Sequence, residues 1–142
     1  MSSIYDKIRS TLENHVASVT DVPYIAYENV STTDKPDGVP WFKLQLFPTK
    51  RTPACLGNSI QMRYEGVFTV YVYIPEGVGP GLADELADNV ISAFEAKTDI
   101  SYTNPDTSET TIVTVTYADR EQGITDQPYY YVPVNIDWYT YE

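Results

Sequence analysis

Cysteine and histidine are nearly missing from this chain, and their scarcity closes off much chemistry at once. Cys55 is the single cysteine and His15 the single histidine. One cysteine excludes an intrachain disulfide and any site drawing two thiolates from the same chain. It fits a reducing compartment. One histidine cannot build an HExxH or His–Cys metal pattern, and there is no GxSxG elbow around which a serine triad would form. Positive charge is scarce too. Nine Lys and Arg stand against twenty Asp and Glu, for a net charge of −11 and a pI near 4.3. Such a chain repels nucleic-acid backbones and anionic membranes as a whole. Its acids are scattered, without the block that marks an acidic tail. No apolar run approaches the roughly 18 residues of a membrane-spanning helix. The opening MSSIYDKIRSTLENH lacks the continuous apolar stretch of a signal peptide.

What remains is an ordinary globular composition with one excess. At 142 residues, with 42% apolar and 20% charged side chains, the chain is expected to be a single domain, 1–142, with one sizeable core. Thirteen tyrosines outnumber four phenylalanines and two tryptophans. Tyrosine joins an apolar ring to a polar tip and suits half-buried sheets and protein interfaces.

Periodicity sets out the elements. Ile4, Ile8, Leu12 and Val16 recur every fourth residue and predict a helix over Ser3–Ser18, with Ser2 or Ser3 as cap and Asp6 in its first turn. Tyr24–Asn29 reads as a short strand, 31–38 as a polar loop and Trp41–Phe47 as an alternating strand. Pro48–Ser59, with two prolines and a glycine, reads as a long exposed loop. Gln61–Ile74 is the clearest strand, with Gly66 marking a bulge or a close backbone approach. A break at 75–81, with Pro80 at the first helical position, leads into a helix over Leu82–Lys97. Ile100 and Tyr102 suit a brief edge strand. Thr111–Tyr117 is a β-branched strand, Ala118–Gln127 a polar connection and Tyr129–Tyr141 the last strand. There Pro133 removes a ladder donor and points to an edge or a bulge. The order α-β-β-β-α-(β)-β-β has no βαβα alternation. It predicts an α+β fold, a mostly antiparallel sheet with two helices packed on one face.

Motifs for catalysis or cofactors are wanting. His15 reads as a partly exposed helix residue. Cys55 has the cations Lys50 and Arg51 nearby but no histidine partner in its motif. The run GVGPG at 77–81 lacks the Lys-Ser or Lys-Thr of a phosphate loop and reads as a strand-to-helix turn. Asp84 and Asp88 share a helix face, which in so acidic a chain reads as solvated surface or as an interface for a basic partner. Lys50, Arg51 and Arg63 would form a small basic patch if the 48–59 segment folds back, too small a footprint for reading nucleic acid. Neither enzyme activity, cofactor nor metal is expected.

The order of motifs resembles the tail-terminator proteins of long-tailed, lambda-like bacteriophages. The likeness rests on SSIYDKIRSTLENHVASV followed by PYIAYENV and PWFKLQLFP, on RYEGVFTVYVYIPEGVGPGLADELADNVISAFE, and on the closing YYYVPVNIDWY. The resemblance implies a structural virion protein that forms a hexameric ring on the completed tail tube, ends tube polymerisation and presents the surface that joins the head. Its implied partners are further copies of itself, the tail tube protein and a head–tail connector or neck protein. DNA would pass through the lumen without sequence-specific binding, and no membrane would be involved. Its implied place is the virion tail near the head–tail junction, after assembly in the host cytoplasm. Lys50, Arg51 and Arg63, with Leu56 and Ile60 as apolar anchors, are the expected contacts to the next subunit or the tube. The alternative for the cations is that they balance acids of their own chain, and for Leu56 and Ile60 burial within it. A neck or connector subunit is the competing structural reading. A ligand-binding or enzymatic domain and a monomeric adaptor are readings of other classes.

Overall fold

A computed structural model describes residues 3–30, 38–54 and 61–142. Two helices and a curled, mostly antiparallel sheet make an α+β fold. Helix α1 spans Ile4–Val16; the Ser3 hydroxyl caps it, accepting the Asp6 N–H at 3.1 Å. Ile8, Leu12 and Val16 are fully buried, so the sequence stripe is the packed face. Helix α2 spans Gly81–Ala93. Pro80 is its cap residue, one position before the predicted first turn. The helix ends before Lys97 because Phe94 leaves it (φ −119°) and buries its ring against Phe68 and His15.

The strands are β1 Tyr24–Ala26, β2 Trp41–Pro53, β3 Met62–Pro75, β4 Asp99–Thr103, β5 Thr110–Arg120, β6 Ile124–Asp126 and β7 Tyr129–Tyr141. Among the described residues the sheet order is β1-β2-β3-β7-β5-β4, with β6 beside β7. Only the short β1–β2 pair is parallel. Both helices lie on one face, α1 against β4 and β5, α2 against β3 and β7. Under them Phe42, Leu44, Phe68, Val70, Val134, Ile136 and Trp138 form the centre of the core.

Four expectations need correction. First, β1 stops at Ala26, and Asn29 turns with φ 57°. The Glu28 carboxylate instead accepts the Leu46 N–H at 3.1 Å and pairs with Arg9 at 2.6 Å, closing part of the β2 edge. Second, 48–53 is strand, not loop. β2 continues to Pro53 opposite Met62, through an irregularity between Pro48 and Lys50. Both prolines are tolerated because β1 covers only Trp41–Lys43, which leaves the outer side of β2 an edge. Third, 118–127 is not simply a connection. β5 runs on to Arg120, and β6 adds a short pairing to β7. Fourth, Pro133 lies in a central strand without a bulge on its β3 side. Its carbonyl accepts the Glu121 N–H. Its nitrogen shares that side and faces the gap between the ends of β5 and β6, where no ladder donor is needed.

Gly66 fulfils the close-approach reading. A Cβ there would fall on the Phe47 carbonyl oxygen and lie 2.7 Å from the Trp138 ring. Only a hydrogen side chain lets β2, β3 and the core indole meet at this point.

Candidate assembly surface

Side chains alternate along each strand, so the residues that skip the core build a second sheet face without a helix over it. The strand register arranges this open face in rows. Trp41, Tyr73 and Tyr131 form the first, and Lys43, Tyr71 and Pro133 the second. Gln45, Thr69, Asn135 and Asp119 follow, then Phe47, Val67, Asp137 and Tyr117. Lys50, Glu65 and Tyr139 come next, ahead of Thr52, Arg63 and Tyr141. Most of the tyrosine excess is spent here.

At one end the rings interlock. Trp41 stacks on Tyr73 with centroids 4.2 Å apart, and Tyr73 on Tyr131 at 4.8 Å. Burial, with Tyr131 beside it, pushes the Tyr73 hydroxyl up to about 12. Lys43 lies 5.5 Å from the centre of the Tyr71 ring, and burial likewise raises the Tyr71 hydroxyl.

At the other end β2 runs on as an outer edge strand, here the arm, beside β3, which stays paired to β7 to its end. Phe47 to Arg51 are exposed in succession. The two adjacent cations alternate in face, and the irregularity at Thr49 puts Lys50 rather than Arg51 on the open side. Lys50 opposes Glu65 on the open face; Arg51 opposes Tyr64 on the helix face. Arg51 Nε donates to the Tyr64 hydroxyl at 3.2 Å, and Tyr64 packs edge-on against Tyr5 of α1. Arg63 returns to the open face. Its guanidinium lies 4.1 Å from the Tyr139 ring centre, donates to the Tyr141 hydroxyl at 2.8 Å and pairs with Glu65 at 3.5 Å. Lys50, Arg51 and Arg63 therefore share one end of the sheet but not one face. Arg63 is engaged by an acid of its own chain. No carboxylate among the described residues is in ion-pair range of Lys50 or Arg51. Leu56, Ile60 and Cys55 lie outside the described residues.

Sequence reasoning missed an acidic group on the same face. Asp119 and Glu121 at the end of β5 stand beside Asp137 of β7, around a hollow of about 450 Å³ that Phe47 and Tyr117 also line. Thr69 donates to Asn135 at 2.8 Å, and the Asn135 amide donates to Glu121 at 3.0 Å. The Tyr117 hydroxyl is raised because it donates to Asp137. Simple alternation hid it: Val113 and Val115 face the core, and only the register shift between Val115 and Tyr117 turns Tyr117 and Asp119 to the open face.

Two of the residues weighed for catalysis, His15 and Asp84, have structural partners. Nε2 of His15 lies 2.7 Å from the Ala93 carbonyl and ties α1 to the end of α2. Asp84 pairs with Arg120, joining α2 to β5. The 77–81 run is the strand-to-helix turn, with Gly77 and Gly79 at positive φ. Among the described residues no three His, Cys, Asp or Glu side chains gather as a metal site, and no helix is long and apolar enough to cross a membrane.

Comparison with known proteins decides the family. The model of the phage tail terminator protein family matches residues 5–138, nearly the whole chain. The chain belongs to the phage tail terminator family. A tail terminator is a structural protein of the phage tail. No curated protein matches its sequence. One solved structure shares the fold with a TM-score of 0.72 at 21% identity, over 99% of this chain and 97% of that one.

Proposed function

We propose that this tail terminator closes into a ring on the completed tail tube, stops tube polymerisation there and presents the surface to which the head is joined. The family match over residues 5–138 carries the reading. Two features of the chain support it. The β2 arm has a row of exposed residues that its own core does not use, as a contact element would. The open sheet face offers aromatic rings with polar tips, Tyr117 and Tyr141 about half exposed among them, which suit subunit contact.

The partners in this reading are further copies of the chain, the tail tube protein and a head–tail connector or neck protein, without a membrane. Neither enzyme activity nor a cofactor has a part in it. The protein acts in the virion tail near the head, after assembly in the host cytoplasm. Charge fits a conduit for DNA. A ring of six chains of −11 would carry −66, and an acidic lumen repels phosphates during passage.

The test is assembly on growing tubes. Tail tube protein polymerised with the terminator should give tubes that stop growing and bear a ring at one end. K50E/R51E should leave ends bare, with tubes elongating as if no terminator were present. Wild-type protein that leaves tube length unchanged would refute the reading, and normal capping by K50E/R51E would remove the arm from it.

A further inference from the structure

Charge is unevenly divided over the open face. Its cations, Lys43, Lys50 and Arg63, stand on β2 and β3. Apart from Glu65, which Arg63 holds, the acids of the hollow stand on β5 and β7: Asp119, Glu121 and Asp137. None of these three is in an ion pair among the described residues. In its own copy Lys50 makes no ion pair with them. Two strand spacings separate β2 from β7, roughly 10 Å, and Lys50 is held in the ladder opposite Glu65. The basic arm and the acidic hollow are thus complementary in charge, and neither Lys50 and Arg51 nor the three acids are in an ion pair among the described residues.

We propose that the open face seats a second copy of this chain, with the arm of one copy, bearing Lys50 and Arg51, docked in the hollow bordered by Asp119, Glu121 and Asp137 of the next. Three carboxylates disfavour nucleic acid or any acidic occupant, and the chain itself carries the matching cations on an exposed ribbon. Both cations of the ribbon act within a Debye length of about 8 Å, although they project from opposite sides. Phe47 and Tyr117, both exposed beside the hollow, supply the apolar contact that charge alone lacks. Arm and hollow adjoin at Phe47 in one chain but carry opposite charges on different strands, so a contact between the arm of one copy and the hollow of the next is head-to-tail, the kind that closes into rings or runs on as filaments. The proposal rests on the ring reading and names the surfaces that would join its subunits.

A charge-swap pair tests it. K50E/R51E makes arm and hollow both acidic; D119K/E121K makes both basic. Each variant alone should self-associate at least about tenfold more weakly than wild type. An equimolar mixture should recover assembly with alternating composition, since each arm then meets an opposite hollow. Sedimentation velocity at physiological salt measures this; if the free protein is monomeric, the same mixing is scored as capped tube ends. A mixture no better than either variant, or variants that assemble like wild type, would overturn the contact. Should a double reversal lower the melting temperature, K50E and E121K repeat the pairing. Capping by wild type without rescue by the pair keeps the ring and rejects this contact; rescue without capping keeps the contact and rejects the ring.

Discussion

Gly66 is the position where one atom matters most. Its missing Cβ leaves room for the Phe47 carbonyl and the Trp138 ring, and neither is free to move, since Trp138 is buried in the core. Gly66→Ala should therefore destabilise the protein by about 1–3 kcal/mol, the usual cost of overpacking, read as a lowered midpoint in denaturant. An unchanged midpoint would mean that the strands separate easily there. Two glutamates near α1 have opposite pH effects. Burial lifts the Glu13 carboxyl above its ordinary range, although Arg9 opposes this. Burial acts the same way on Glu28, but hydrogen bonds from Arg9 and the Leu46 N–H outweigh it and hold Glu28 low. A lowered folded-state pKa gives stability that is present above the ordinary carboxylate range and lost as pH falls through the folded value. A raised one costs stability at neutral pH, and the cost vanishes in acid. At pH 7, E28Q should lower the melting temperature and E13Q should raise it, with both differences fading in acid. Shifts of the same sign at pH 7 would contradict this. Tyr73 contributes to the alkaline limit, with Tyr27, Tyr71 and Tyr117 raised in the same direction. The Tyr73 hydroxyl, raised to about 12, contributes stability that is complete below pH 10 and lost as pH rises from 10 to 12. Y73F should flatten that loss in alkaline melts.

At the scale of elements, both helices and every long strand were legible, because each repeats its apolar residues at its own period. Ser3 and Asp6 marked the start of α1, and Ile100 with Tyr102 marked the edge strand β4. What was not legible depended on neighbours. The prolines at 48 and 53 looked like breaks, yet they sit where β2 is an edge, a fact set by the shortness of β1. Pro133 looked like an edge signal, yet the gap between β5 and β6 accommodates it in the centre of the sheet. Which of Lys50 and Arg51 faces outward depended on the irregularity at Thr49, which no local pattern announces. The acidic group was not legible: alternation would send Tyr117 and Asp119 after Val113 and Val115 into the core, and only the irregularity between Val115 and Tyr117 sets them beside Asp137 on the open face. The arm also has a dynamic signature. Its ladder has solvent along one edge, while β3–β7 pairing lies inside the sheet. Amides of 50–52 should exchange with solvent well before those of 67–72, and assembly should slow them. Equal protection of the two in the free protein would show an arm packed on something within its own chain.

For the whole molecule, the tyrosine excess, the uncovered sheet face and the sparse cations fit together as the properties of a subunit. A net charge of −11 keeps free chains apart over long range, and salt screens that repulsion together with any arm-to-hollow attraction. Assembly should therefore depend on salt in both directions, weak at very low and at very high ionic strength. The central claim is that this chain is a ring-forming cap of the tail tube. The most direct measurement is the mass, by light scattering with electron microscopy of the same sample, of the complex it forms with tail tubes. Tubes of arrested length with a ring of several copies at one end are the predicted result. A protein that stays monomeric at high concentration and leaves the tubes bare and growing would contradict the account.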